Sequence, residues 1–179
     1  LAAFTAAREQ KWIRARELAT AVVRRNPESY VGHHVLALAQ HEGEANFPVA
    51  LREEQLAIAA FARVYGDPPH PGAPWRWHAM MLLELAGIQG DLERHAERLA
   101  TLDRYNSLYQ PPMLAERAWS LMKLRRFDEA RLAARDGLGS GDAWQVESAL
   151  NALCAVEFEA GQYGRSYEAC KAALDHGRA

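Results

Sequence analysis

Residues 10–27 read QKWIRARELATAVVRRNP, and residues 125–138 read RRFDEARLAARDGL. Each stretch passes from polar residues to an aromatic anchor, Trp12 or Phe127, and places a small residue three positions later, Ala15 or Ala130. Apolar residues then return at helical spacing, the pattern of an amphipathic helix entered through a turn. The same opening recurs in NFPVALREEQLAIAAFARVYGDPP (46–69), GDLERHAERLATLDRYN (90–106) and GQYGRSYEACKAALDHG (161–177). The five anchors are Trp12, Phe47, Leu92, Phe127 and Tyr163, separated by 35, 45, 35 and 36 residues, and three positions after them stand Ala15, Ala50, His95, Ala130 and Ser166. Recurrence at such a period is the mark of a repeat array. The long interval accommodates about ten extra residues around DPPHPGAPW (67–75), whose four prolines and one glycine stop a helix and predict an extended loop.

Composition agrees with helix throughout. Ala, Leu, Glu and Arg dominate while Ile and Thr occur three times each, a balance that favours helix over sheet. The expected fold is all-α, with about ten helices: 1–9, 12–25, 29–41, 49–65, 75–88, 92–105, 112–123, 127–138, 143–160 and 163–175. They group into one repeat domain over 1–179, with units at 1–27, 28–66, 75–107, 112–139 and 143–179. Small residues at Ala3, Ala118, Ala130 and Cys154 are the expected contacts where paired helices approach closely. The opening at Leu1 and the helical pattern running to Ala179 suggest a segment of a longer protein.

The pattern resembles the tetratricopeptide repeat, a helix-turn-helix unit with small residues on its first helix, a Gly-Asp/Asn-Tyr turn, a small residue three places later and a closing proline. The resemblance covers nearly the whole chain and is strongest at Gly90-Asp91-Leu92, at Gly161-Gln162-Tyr163, at Phe127 with Ala130, and at Trp12 with Ala15 closed by Asn26-Pro27. Departures are His95 and Ser166 in place of the small alanine, Gly137 inside a helix, and no turn glycine beside Phe47. The resemblance implies a right-handed α-solenoid of antiparallel helix pairs whose first helices line a concave groove for a peptide or partner helix. It implies a protein-interaction scaffold, with a protein or peptide partner and no enzymatic activity. The alternative is a regulatory or sensor module of a larger signalling protein, such as an ATPase-linked regulator or a protease, that contacts other domains of its own chain.

Other classes are disfavoured by composition. The formal net charge is −2 with both signs interspersed, which lacks the one-sided basic field of a nucleic-acid binder. No window offers the roughly 18 to 20 consecutive apolar residues of a membrane span. The only two cysteines, Cys154 and Cys170, are too few for a disulfide scaffold and suit a reducing cytoplasm as small buried thiols; they occupy facing positions of the last helix pair and a bridge between them is the second reading. The 18 arginines against three lysines, with abundant alanine, suggest a GC-rich bacterial source.

The groove stripe can be traced along the first helices. It consists of Phe4, Ala7 and Arg8; Val35, Ala39 and Glu42; Trp77, Met80 and Glu84; Ala115, Trp119, Met122 and Lys123; and Asn151, Ala155 and Phe158. Tryptophan and methionine supply large, adaptable contact area, so this stripe is the candidate binding surface. The competing reading makes the same aromatics the filling between neighbouring units. Arg8, Lys123 and Asn151 are too scattered along the stack to form a clamp for a peptide carboxylate. His33, His34 and His41 share one helix with Glu42 and Glu44 beyond it, and His34 and His41 share a face, but a metal site is set aside, since imidazoles seven residues apart stand about 10 Å apart along a helix. Nucleotide-binding, nucleophile-elbow and zinc-protease motifs do not occur, so no cofactor, metal or catalytic group is expected.

Overall fold

A computed structural model of the chain describes residues 2–177. The expected helix start at Leu1 and the end of the last unit at 178–179 lie outside the described residues. Ten α-helices are present and no strand occurs among the described residues: α1 (Ala2–Arg8), α2 (Trp12–Arg25), α3 (Tyr30–Leu38), α4 (Phe47–Tyr65), α5 (Trp75–Asp91), α6 (His95–Leu108), α7 (Leu114–Lys123), α8 (Phe127–Gly137), α9 (Ala143–Glu159) and α10 (Tyr163–His176). A π-helical turn, Ala39–Gly43, continues α3. The chain divides into two compact units, Leu1–Arg94 and His95–Ala179.

Five turns share one backbone design. Gln10, Ala45, Glu93, Arg125 and Gly161 each take positive φ, between 50° and 72°, and each stands two residues before a helix start. The residue after each returns its amide to the preceding helix, as in Lys11 to Ala6, Arg94 to Gln89, Arg126 to Leu121 and Gln162 to Glu157. This is a Schellman closure, which satisfies carbonyls that a helix end otherwise leaves bare. Four of the five left-handed residues are not glycine, so glycine is an unreliable guide to these turns. The expectation for the third turn is corrected accordingly. Gly90-Asp91 belongs to α5, Leu92 is the residue capping it, and the next helix opens three residues later at His95. The second turn differs by one residue: the π turn widens the closure, and Asn46 donates to Gln40.

The anchors work by being covered. In unit one Trp12 packs in an alanine-rich core of Ala3, Ala6, Ala7, Ala15, Ala19 and Val35. A Cβ placed on Gly43 would lie 2.6 Å from Trp12 Cβ, so the glycine lets the following turn close over the indole. Tyr163, expected as the fifth anchor, is 67% exposed. Among the described residues no later hairpin follows α10 to cover it.

The first unit has two further apolar clusters. Ala57, Phe61, Ala73 and Met81 pack with Tyr30, Ile58, Tyr65 and Trp77, while Ala50, Leu51 and Ile88 pack with Leu85 and Leu92. Ala73 comes from the proline-rich insert, and the His70 amide bonds Tyr65 O. The insert therefore folds back on α4 rather than extending. The second unit is built on Leu99, Ala118, Leu121, Met122, Ala130, Ala133, Ala134, Ala152 and Val156. Gly137, anomalous in a helix by propensity, is explained by packing: its Cβ would meet that of Ala149 at 3.0 Å. Cys154 and Cys170 are joined in a disulfide between α9 and α10, their Cα atoms 4.7 Å apart. The expectation of free buried thiols is corrected; the two positions face each other closely enough to bond, and both are only half-buried.

Candidate functional site

The most distinctive chemistry lies in the first unit, along α3 and its π turn. Ser29 caps α3 by accepting the Gly32 amide, and the helix then presents His33 and His34 in succession. His33 is buried, with Nδ1 2.7 Å from Glu53 Oε2 and Nε2 2.9 Å from the carbonyl of Pro27. His34 is deeper, its Nδ1 3.0 Å from both oxygens of Glu54, a carboxylate with no solvent exposure. Within the π turn, His41 places Nδ1 2.7 Å from Glu84 Oε1 and Nε2 2.6 Å from Asp91 Oδ2. Glu42 Oε1 stands 3.5 Å from the same Nδ1.

Electrostatics tie these groups together. Hydrogen bonding to Glu84, together with Asp91 and the charge of Glu42, raises the pKa of His41 to about 9 against the opposing cost of burial. Burial raises the carboxyl of Glu54 to about 7, and its partner His34 holds it from rising further. Burial disfavours charge on His34, but the Glu54 carboxylate outweighs this and its pKa is raised. An unpaired carboxylate at such a depth would cost several kcal/mol, which is why the pair is held in direct contact.

An aromatic cluster abuts His34. The Phe4 and Trp77 rings are 4.7 Å apart, Trp77 lies edge-on to His34 at 5.9 Å, and Tyr30 lies edge-on to Trp77 at 6.2 Å. Offset and edge-to-face contacts of this kind are the favoured aromatic geometries. The cluster draws on α1, α3 and α5, the first helices of successive hairpins.

The expected groove stripe is thus partly assembled. In the first unit Phe4, Trp77 and Met80 are half-exposed and Arg8 is exposed, while Val35 is wholly buried in the core and Glu84 is engaged by His41. In the second unit Lys123, Asn151 and Phe158 are exposed, Phe158 at 59%, whereas Trp119 packs partly against the core and Met122 belongs to it. Val35 and Met122 are filling, not contact surface. The two histidines weighed together in sequence go separate ways: His34 pairs with Glu54, His41 with Glu84 and Asp91, and Glu44 pairs with Arg16.

Glu54 was not foreseen, although a signal for it existed. It stands in the series Ala50, Glu54, Ala57, Phe61, all buried at helical core spacing, so a carboxylate occupies a core position and requires a buried partner. Asp91 was hidden by the misplaced third turn. No model of a known protein family matches the chain, and no curated protein matches it.

Proposed function

We propose that the chain is a tetratricopeptide-like interaction scaffold, a right-handed stack of helix pairs that holds an apolar or amphipathic segment of a partner protein along its first helices and catalyses no reaction of its own. Four repetitions of one turn geometry, and a fifth widened by the π turn, support the repeat reading. The observation that carries the binding reading is the Phe4–Trp77 pair, continued by Met80 on the same face of α5. These are large side chains on first helices that remain half-exposed while the neighbouring Val35 is sealed in the core. Aromatic and thioether side chains in such positions are typical energetic centres of interfaces.

The partner is a protein or peptide. Among the described residues no helix is long and apolar enough to cross a membrane, and the interspersed charge gives no footprint for nucleic acid. A cytoplasmic location was expected from the scarcity of cysteine; the disulfide between α9 and α10 favours an oxidising compartment instead.

The test compares the wild type with Phe4→Ala/Trp77→Ala and with Phe158→Ala in affinity capture from the source cell. Proteins retained by the wild type should be lost from the double variant while circular dichroism shows unchanged helicity. Identical capture by both would sink the groove assignment in the first unit. Met122→Ala is unsuitable, because that side chain is core and its loss would act through stability.

A further inference from the structure

We propose that His41, Glu42 and Glu84 form a binding site for one divalent first-row transition-metal ion, with Asp91 as the carboxylate that orients the imidazole. The three donor atoms, one imidazole nitrogen and two carboxylate oxygens, all lie within 4.8 Å of one another. They come from two elements, the π turn and α5, so tertiary packing brings them together. On an α-helix adjacent side chains point about 100° apart. The wider π turn reduces that divergence, and both His41 and Glu42 reach Glu84. Single π turns inside α-helices occur frequently at functional sites.

The spacing suits an ion of this class. Zinc-like ions hold nitrogen and oxygen donors about 2.0 to 2.2 Å away, which sets neighbouring donors roughly 3.0 to 3.5 Å apart. Nδ1 and Glu42 Oε1 already stand 3.5 Å apart, while the 2.7 Å between Nδ1 and Glu84 Oε1 must open slightly as the proton between them leaves. The ion takes the place of that Nδ1 proton, which passes to solvent, and Nε2–H remains donated to Asp91 at 2.6 Å. A ring nitrogen donating to a carboxylate while the other binds metal is the recurrent outer arrangement of protein metal sites.

Charge points the same way. The groups that act on His41 from its own turn and from α5 are Glu42, Glu84 and Asp91, all acidic, so a single imidazolium leaves the cluster with surplus negative charge. A dication relieves more of it. Glu42 is 53% exposed and Glu84 14%, which gives an ion access from solvent and leaves coordination positions for water. One imidazole with two carboxylates selects zinc, cobalt or manganese over the all-oxygen ion magnesium, and the absence of thiolate from the set disfavours copper(I).

The experiment titrates the chelator-treated chain with Zn2+, Co2+ and Mg2+ separately, by calorimetry and, for Co2+, by its visible absorption. Expected are one Zn2+ or Co2+ per chain, a tenfold or greater weakening in Glu42→Gln and in Glu84→Gln, a weakening of about tenfold in Asp91→Asn, and unchanged affinity in Glu53→Gln. Glu42 is a surface residue, so Glu42→Gln decides the matter even if Glu84→Gln does not fold. Absence of Zn2+ and Co2+ binding at millimolar ion, Mg2+ binding as tight as Zn2+, or equal affinity in Glu42→Gln would overturn the site and leave the cluster an ion-pair network. None of these outcomes bears on partner capture, so this site and the groove stand or fall separately.

Discussion

The two units of the chain use the same hairpin turn and fill their interiors differently. The second unit closes around an apolar cluster from Leu99 to Val156 and adds a covalent tie between α9 and α10. The first unit places His33, His34, Glu54 and His78 among its buried residues and gathers three carboxylates about His41. Shared backbone geometry therefore does not impose a shared response to solution conditions. The first unit should answer to protons and the second to reductant.

The strongest way to break that contrast is His34→Ala. It leaves Glu54 buried without its partner, and removal of one member of a buried pair costs about 3 to 5 kcal/mol. The carboxyl can escape by protonation, so the loss measured by chemical denaturation should be largest at pH 8 and much smaller at pH 5.5. Joint replacement with Glu54→Met should recover most of it. An equal loss at both pH values would mean that His34 acts through its volume alone.

Reduction of the disulfide should come next. The bridge closes a loop of 16 residues in sequence separation, and loops of that size gain about 3 kcal/mol from closure. Hydrogen exchange should rise in α9 and α10 on reduction, or in Cys154→Ser/Cys170→Ser, while α3 and α4 keep their protection. Loosening of the first unit to the same degree would remove the distinction between the units. Only Ser166 and Ala173 of α10 are buried, so little else holds that helix.

The smallest effect is a slope with pH. Glu84 and Asp91 keep the proton on His41 to about pH 9, above the ordinary 6.5. The stability this contributes is full below pH 6.5 and is lost as pH rises through about 9. Glu54 acts in the same sense at lower pH. Burial raises its carboxyl from 4.5 to about 7, so folding favours the protonated form and stability declines between those values. Allowing for solvent screening, the His41 contribution is about 1 to 2 kcal/mol. Unfolding monitored from pH 6.5 to 9 should show this decline in the wild type and a flatter profile in His41→Gln. A flat wild-type profile would show that the carboxylates do not hold the imidazolium.

Much of the helix layout was legible because it rests on local rules. The start of α2 at Trp12, of α8 at Phe127 and of α10 at Tyr163 follows from an anchor, a small residue three places on and 3.6-residue periodicity. The third turn departs from the expectation because glycine does not mark it: Glu93 adopts the left-handed conformation there. Such a residue bears a strain that the closing hydrogen bonds offset, and nothing in its side chain announces it. The candidate site was less legible. Trp77 and Met122 share the same helical stripe, yet one remains half-exposed and the other is core, since periodicity gives a direction around a helix and not what stands opposite.

The sequence by itself determined that this chain is all-helical, where its hairpins turn in four of five cases, and which alanines lie at close approaches. Those properties depend on residues within one or two turns of each other. Only the tertiary structure decided that His34 meets Glu54, that Glu84 and Asp91 on α5 converge on His41, and that Cys154 and Cys170 bond. These partners lie 16 to 50 residues apart. Hydrogen bonds and charge pairs act over a few ångströms, so the packing of whole helices, and not the order of residues along them, selects which polar groups meet.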